Sequence, residues 1–142
     1  MLHQHSIYQL DDSLQRIDFA TVHAWLTTSY WSPGISRQRI EQGARNSALV
    51  LGAYLNDSQV AFARVVSDTT RFAYLSDVFV APDHRGKGLA RALVQCAFNH
   101  PTFAAVDKWF LRTQDAHAVY QPLGFQPLAD PESWMVYTPP AK

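Results

Sequence analysis

A chain of 142 residues is the size of one domain and can bury about 68–70% of the surface its unfolded form exposes. Lysine plus arginine and aspartate plus glutamate number 12 each, so no net charge draws the chain towards nucleic acid or an anionic membrane. The single cysteine, Cys96, excludes an intrachain disulfide and a cysteine zinc cluster, and no apolar run reaches the ~18 residues of a membrane span.

No basic and long apolar segment of a secretory signal opens the sequence, and a cytoplasmic setting is expected. Residues 6–10 (SIYQL) read as a first strand, with His3 and His5 before it in a mobile terminus. Asp18 is placed to cap a helix running to about Ser29, with Phe19, Val22, Trp25 and Leu26 on its apolar face. The loop YWSPGIS follows over 30–36. Ser36 then caps a second helix, with Ile35 and Ile40 spaced as a hydrophobic staple and Glu41 and Arg45 as an exposed ion pair. Residues 48–55 and 59–66 read as strands of an antiparallel hairpin turning at Asn56-Asp57-Ser58. A second turn at 68–71 leads into FAYLSDVFVA, residues 72–81, whose nearly continuous apolar character predicts a central strand covered on both faces.

After that strand comes a glycine-bearing basic turn and a helix over 86–99. Leu89, Leu93, Cys96 and Ala97 share its apolar face; Lys87, Arg91, Gln95 and Asn99 form the wet stripe, and Pro101 ends it. Cys96 reads as a buried structural thiol. A strand at 108–113 then returns parallel to the central one through a right-handed crossover. Residues 115–121 read as a short helix, with Asp115 as its cap, and 125–128 and 134–138 as closing antiparallel strands. These elements predict an α/β chain of α+β type in one domain over 1–142: a mixed, mostly antiparallel central sheet with helices on both faces.

The strand-turn-helix junction carries the chemistry. Glycines at 86 and 88 let backbone approach an anion without a Cβ in the way. The first N–H groups of the helix lack internal partners, and the helix dipole favours negative charge there. Arg85, Lys87 and Arg91 add formal charge, although Lys87 and Arg91 equally suit a solvated helix stripe. The spacing fits neither the nucleotide P-loop nor the dinucleotide fingerprint.

The segment VFVAPDHRGKGLARALVQ resembles the central motif of the GNAT family of N-acetyltransferases, in which Arg or Gln is followed after two residues by Gly and, one residue further, by Gly or Ala. Arg85, Gly88 and Ala90 match it. AHAVYQPLGF, residues 116–125, resembles the family's A-x-x-x-Y-x-x-x-G-F segment. The resemblance covers most of the chain and implies a GNAT-like sheet with a splayed parallel strand pair. It also implies an acetyl-CoA-dependent enzyme that moves an acetyl group to a primary amine of a small molecule or peptide by direct transfer in a ternary complex. A non-catalytic CoA-binding or protein-interaction module is the alternative.

Carried over residue by residue, the resemblance places the pantetheine arm along Val78, Phe79 and Val80. It places the pyrophosphate on Arg85, Gly86, Lys87, Gly88, Leu89, Ala90 and Arg91. Tyr120 takes the place of the family's general acid, a phenol that stays protonated at neutral pH. Asp77, a carboxylate inside an apolar strand, must be paired, hydrated or facing a cleft. It either orients or deprotonates the acceptor amine or makes a structural hydrogen bond. Tyr30 and Trp31 border the acceptor site in this family, as an aromatic wall or as anchors of their loop. No metal, nucleic acid or membrane is implied, and a homodimer is left open. Two departures bear on the tyrosine: Thr113 stands where many members carry Asn, and Pro122 follows where a helix-compatible residue is usual.

Overall fold

Strands adjacent in sequence are also adjacent in space, so the sheet grows in chain order. The computed structural model describes residues 1–141. Its strands are β1 (Leu2–His5), β2 (Tyr8–Asp11), β3 (Leu49–Leu55), β4 (Ser58–Ser67), β5 (Phe72–Val80) and β6 (Lys108–Phe110), hydrogen-bonded in the order β1-β2-β3-β4-β5-β6. Every pair is antiparallel except β5 with β6. The helices are α1 (Phe19–Leu26), α2 (Arg37–Arg45), α3 (Leu89–Asn99) and α4 (His117–Tyr120). This is the expected mixed, mostly antiparallel sheet with one parallel pair. Among the described residues no helix is long and apolar enough to cross a membrane.

Two cores lie on opposite faces of the sheet. One joins Leu49, Leu51, Ala63, Val65 and Leu75 to Leu89, Leu93, Val94 and Ala97 of α3 and to Tyr120 of α4. The other joins Val50 and Phe62 to Phe19, Val22 and Leu26 of α1 and Ile40 and Ala44 of α2. Each fully buried leucine or valine contributes about 1.5–3 kcal/mol of transfer free energy. Alternation along β3 and β4 therefore fastens a helix pair to each face. The caps form as spacing predicts: Asp18 accepts from Thr21 N (3.1 Å) and Ser36 Oγ from Arg39 N (3.3 Å). Asp68 turns the chain between β4 and β5. Its carboxyl accepts from the N–H groups of Thr70, Arg71 and Phe72, and those bonds hold it below the usual carboxylate range.

Several boundaries differ from the sequence expectation. The N-terminus is a hairpin rather than one strand behind a mobile tail. Ser6 adopts a positive φ of 53° and turns β1 back along β2. The helix expected from residue 86 begins at Leu89, because Gly86 and Gly88 take φ of 75° and 79°. The strand expected over 108–113 stops at Phe110. The short helix covers only 117–120, and Asp115 does not cap it: Thr113 Oγ1 accepts from Asp115 N (3.4 Å) and Ala116 N (3.0 Å). Neither closing strand forms. Phe125 turns inward to Phe98 and Tyr120, and Pro127 and Pro131 bring no N–H to a ladder, so the chain passes β6 without pairing.

Candidate active site

A bulge opens the site. Phe79 pairs with Phe62, whereas Ser76 pairs with Arg64, so two residues of β5 stand opposite one of β4. Asp77 absorbs the excess with a φ of 55°. On the other side, β5 keeps its parallel partner only from Phe72 to Tyr74. Beyond Tyr74 that edge is open, and a cleft of about 1510 Å³ lies between β5, the start of α3 and the segment from Leu111 to Tyr120. Such a volume exceeds the ~300–1,000 Å³ of an ordinary small-ligand pocket and admits two reactants together.

Along the floor, the Ala81 N–H donates back to Val60 (2.8 Å). By strand alternation the backbone N–H and C=O of Val80 face the cleft. Arg85 Nε donates to that carbonyl (2.9 Å), and its guanidinium lies 5.3 Å from the Phe79 ring centroid. This fixes the arginine at the mouth of the glycine turn. The N–H groups from Gly86 to Arg91 find no acceptor among the described residues; Gly88 C=O receives the first helical bond, from Ala92 N (2.9 Å). The row of free donors at the start of an eleven-residue helix has the geometry that suits an anion. Nothing lies within 4 Å of where a Gly86 Cβ would stand. At Gly88 a Cβ would meet His5 Nε2 at 3.4 Å. His5 itself bonds the Lys87 carbonyl (3.0 Å), so β1 braces the turn from behind.

Tyr120 closes the far wall. Its ring is buried edge-on against Phe125, at 5.9 Å between centroids. α4 ends at Tyr120, and a 3₁₀ turn over Gln121–Leu123 takes up Pro122. Burial, and secondarily the nearby Tyr30 and Asp115, push the phenol up to about 12, so it keeps its proton at every physiological pH. Tyr54, buried elsewhere, is likewise pushed up to about 12, chiefly by burial. Both rings hold their protons in the folded state between their ordinary value of 10.0 and about 12, where the unfolded chain has lost them. Stability is therefore expected to decline as pH rises through that window, by about 2 kcal/mol for each ring. Urea unfolding at stepped alkaline pH measures this; a flat profile across the window rejects it.

The side of the cleft formed by the loop after α1 is held by a polar chain that the sequence did not reveal. Arg64 Nε donates to Asp77 Oδ2 at 2.7 Å, and Trp31 Nε1 donates to Asp77 Oδ1 at 3.0 Å. Arg64 Nη1 also reaches Ser47 Oγ (3.3 Å), whose hydroxyl donates to Gly43 O of α2 (2.7 Å). Both oxygens of Asp77 are thus engaged. Tyr30 packs edge-on against Trp31 at 5.0 Å, and its hydroxyl accepts from Gln114 N (2.9 Å). The loop after α1 therefore spans the cleft, tied to β5 by one aromatic side chain and to the segment after β6 by the other.

Of the residues singled out in the sequence, Tyr30, Trp31, Asp77, Val78, Phe79, Val80, Arg85, Gly86, Gly88, Leu89, Ala90, Arg91 and Tyr120 all line this one cleft. Lys87 does not line it. Arg64, His84, Arg112 and Gln114 line it and were missed; Thr113, noted in the sequence only as a departure from the family pattern, lines it as well. Arg64 had a legible signal: it and Asp77 are lone opposite charges in adjoining apolar strands on either side of the turn at 68–71. Among the described residues no group of three or more His, Cys, Asp or Glu side chains could hold a metal ion.

Residues 46–127 match the sequence model of the acetyltransferase (GNAT) domain. A protein from Xanthomonas campestris pv. campestris, assigned to the GNAT acetyltransferases, is 36% identical with a TM-score of 0.86, over 96% of this chain and 95% of that one. A Clostridium acetobutylicum protein described as an acetyltransferase and solved with acetyl-CoA shares the fold at 18% identity and a TM-score of 0.68, over 97% and 96% of the two chains. An aminoglycoside acetyltransferase from an uncultured soil metagenomic sample shares it at 17% identity and 0.68, over 95% and 99%. No curated protein matches the chain in sequence.

Proposed function

The chain belongs to the GNAT acetyltransferase family, and from that premise we propose that residues 1–142 form one N-acetyltransferase domain. It uses acetyl-CoA and a primary amine of a small molecule or peptide, both held in the cleft for direct transfer. The observation that carries this reading is the run of unpartnered N–H groups from Gly86 to Arg91, flanked by Arg85 and Arg91, at the head of a cleft wide enough for two reactants. That run suits a diphosphate: main-chain donors approach without steric block, and arginine pairs with phosphate oxygens bidentately. The open edge of β5 at Val78 and Val80 suits the amide-bearing arm.

When bound, acetyl-CoA supplies an acyl group activated by a thiol leaving group. The protein's own residues position and protonate. Tyr120 keeps its hydroxyl proton in the cleft and is assigned as donor to the departing sulfur. Trp31 and Tyr30 wall the acceptor side, where their rings can meet an ammonium or amine. Asp77, with both oxygens committed, is assigned as a positioning residue: it fixes Trp31, and Arg64 fixes Asp77. Holding two reactants in register is worth about 7–11 kcal/mol of barrier, and an acid or base about 10²–10⁴-fold, so positioning carries most of the rate.

Thermal unfolding with and without acetyl-CoA tests the reading. At a hundred times Kd a bound ligand adds about 2.7 kcal/mol, which for a domain of this size raises the midpoint by roughly 5–12 °C. An unchanged midpoint at saturating acetyl-CoA removes both the enzyme and the CoA-binding readings. A raised midpoint with no thiol release across a panel of amines assigns the chain to the non-catalytic module.

A further inference from the structure

Most charged side chains that line the cleft are committed. Arg64 and Asp77 neutralise each other at 2.7 Å. His84 Nδ1 is bonded to the Tyr8 hydroxyl (2.9 Å), and Arg85 and Arg91 flank the glycine turn. Two charges remain, Arg112 and Asp115, both in the segment after β6 and both lining the same cleft. Among the described residues neither side chain makes an ion pair or a hydrogen bond, and the two do not pair with each other. Asp77 has both oxygens engaged, so Asp115 is the uncommitted carboxylate of the cleft.

The backbone that carries this pair is pinned. Thr113 Oγ1 accepts from Asp115 N (3.4 Å) and Ala116 N (3.0 Å), and Gln114 N, between the two charges, donates to the Tyr30 hydroxyl (2.9 Å). Asp115 is thus one residue from the contact with the aromatic wall. After burial, Tyr30 and Asp115 are the causes that raise the Tyr120 phenol, so the carboxylate also lies within electrostatic reach of the hydroxyl assigned to the departing sulfur.

We propose that Arg112 and Asp115 recognise a zwitterionic acceptor, an amino acid with an apolar side chain: Asp115 holds its ammonium, Arg112 its carboxylate, and Tyr30 and Trp31 cover its side chain. The proposal rests on the acetyltransferase reading, which calls for an amine at this end of the cleft. At neutral pH a primary amine arrives as its ammonium, and the uncommitted carboxylate near Tyr120 is the group that meets it. A purely cationic acceptor would leave Arg112 facing it as a like charge. A carboxylate on the acceptor replaces that repulsion with a charge-assisted, forked hydrogen bond, the contact for which a guanidinium is suited. Tyr30 and Trp31 are exposed aromatic rings, and an apolar side chain laid on them removes that surface from water.

Calorimetric titration of phenylalanine, leucine and methionine into the full chain, with and without saturating CoA, tests the pair. At least one is expected to bind, about 10–100-fold more tightly than its own amide, which lacks the carboxylate. Arg112→Gln is expected to remove that advantage and leave affinity for the amide unchanged. Asp115→Asn is expected to weaken amino acid and amide alike, by about 10–100-fold. Equal affinity for acid and amide in the parent chain overturns the proposal, and so does the absence of binding by all these amino acids at millimolar concentration. A loss in Arg112→Gln that is equal for both ligands marks a merely structural role and overturns it too. Should a variant fail to fold, the comparison of acid with amide on the parent chain decides. Thiol release from acetyl-CoA, read separately, tests the underlying reading. Discrimination without thiol release keeps the site and removes the enzyme; release with amines but without discrimination keeps the enzyme and removes the site.

Discussion

Gly88→Glu is expected to abolish acetyl-CoA binding while leaving a folded protein. Gly88 holds φ at 79°, so any side chain there costs about 1–2 kcal/mol of backbone strain, a few degrees of midpoint. Its Cβ would meet His5 at 3.4 Å, and His5 braces the Lys87 carbonyl, so the turn itself is disturbed. A carboxylate would also stand among the N–H groups from Gly86 to Arg91 that we assign to a diphosphate. Steric block and like charge act together, and a loss of at least about a thousandfold in affinity, roughly 4 kcal/mol, is expected. Calorimetric titration of the variant with acetyl-CoA reads it directly. Gly88→Ala separates the causes: it carries the strain without the charge and should retain measurable binding. Wild-type affinity in the glutamate variant would remove the cradle from the diphosphate site.

Tyr120→Phe is expected to lower kcat by about 10²–10³-fold with the acetyl-CoA Kd unchanged, in line with the loss of one proton donor. The Tyr120 hydroxyl makes no hydrogen bond within the described chain, and its ring packs edge-on against Phe125, so phenylalanine keeps the packing. Stability below pH 10 should therefore stay within about 0.5 kcal/mol of the parent. Because burial pushes the phenol to about 12, the parent enzyme should show no alkaline fall in rate from this group at lower pH. Single-turnover kinetics on the two proteins, matched for bound acetyl-CoA, decide the matter; equal rates would reject Tyr120 as the donor.

Much of the fold was legible because short-range patterns and long-range burial agree. The helical spacing of Leu89, Leu93 and Ala97 was read correctly, and the family motifs pointed to the same junction; the apolar run of β5 does form a strand, but it is not covered on both faces, since only Ala73 and Leu75 are buried and the cleft opens along the rest. The errors fall where local patterns are weak. Residues 134–138 have strand composition, but strand formation needs a partner, and their own β6 does not pair with them. His3 and His5 carry no pattern of their own, and β1 becomes visible only through its ladder with β2 and the bond from His5 to Lys87. Arg64 does stand out as a lone charge in its strand, but its pairing with Asp77 depends on a one-residue bulge in the neighbouring strand.

Sequence alone determined the order of elements from α1 to α4, the glycine-bearing turn before α3 and the residue types gathered there, because periodicity and the need for positive φ are written in neighbouring residues. Tertiary structure decided which side chains confront one another. Asp77 reads in sequence as a buried charge in search of a role; the bulge turns it onto Arg64 and Trp31 and commits both oxygens. Tyr120 is ninety residues from Tyr30 along the chain, yet both line one cleft, because β5 and β6 part after Tyr74 and the loops close over the gap. That parting results from ladder register across distant strands, a property that no local stretch of sequence contains.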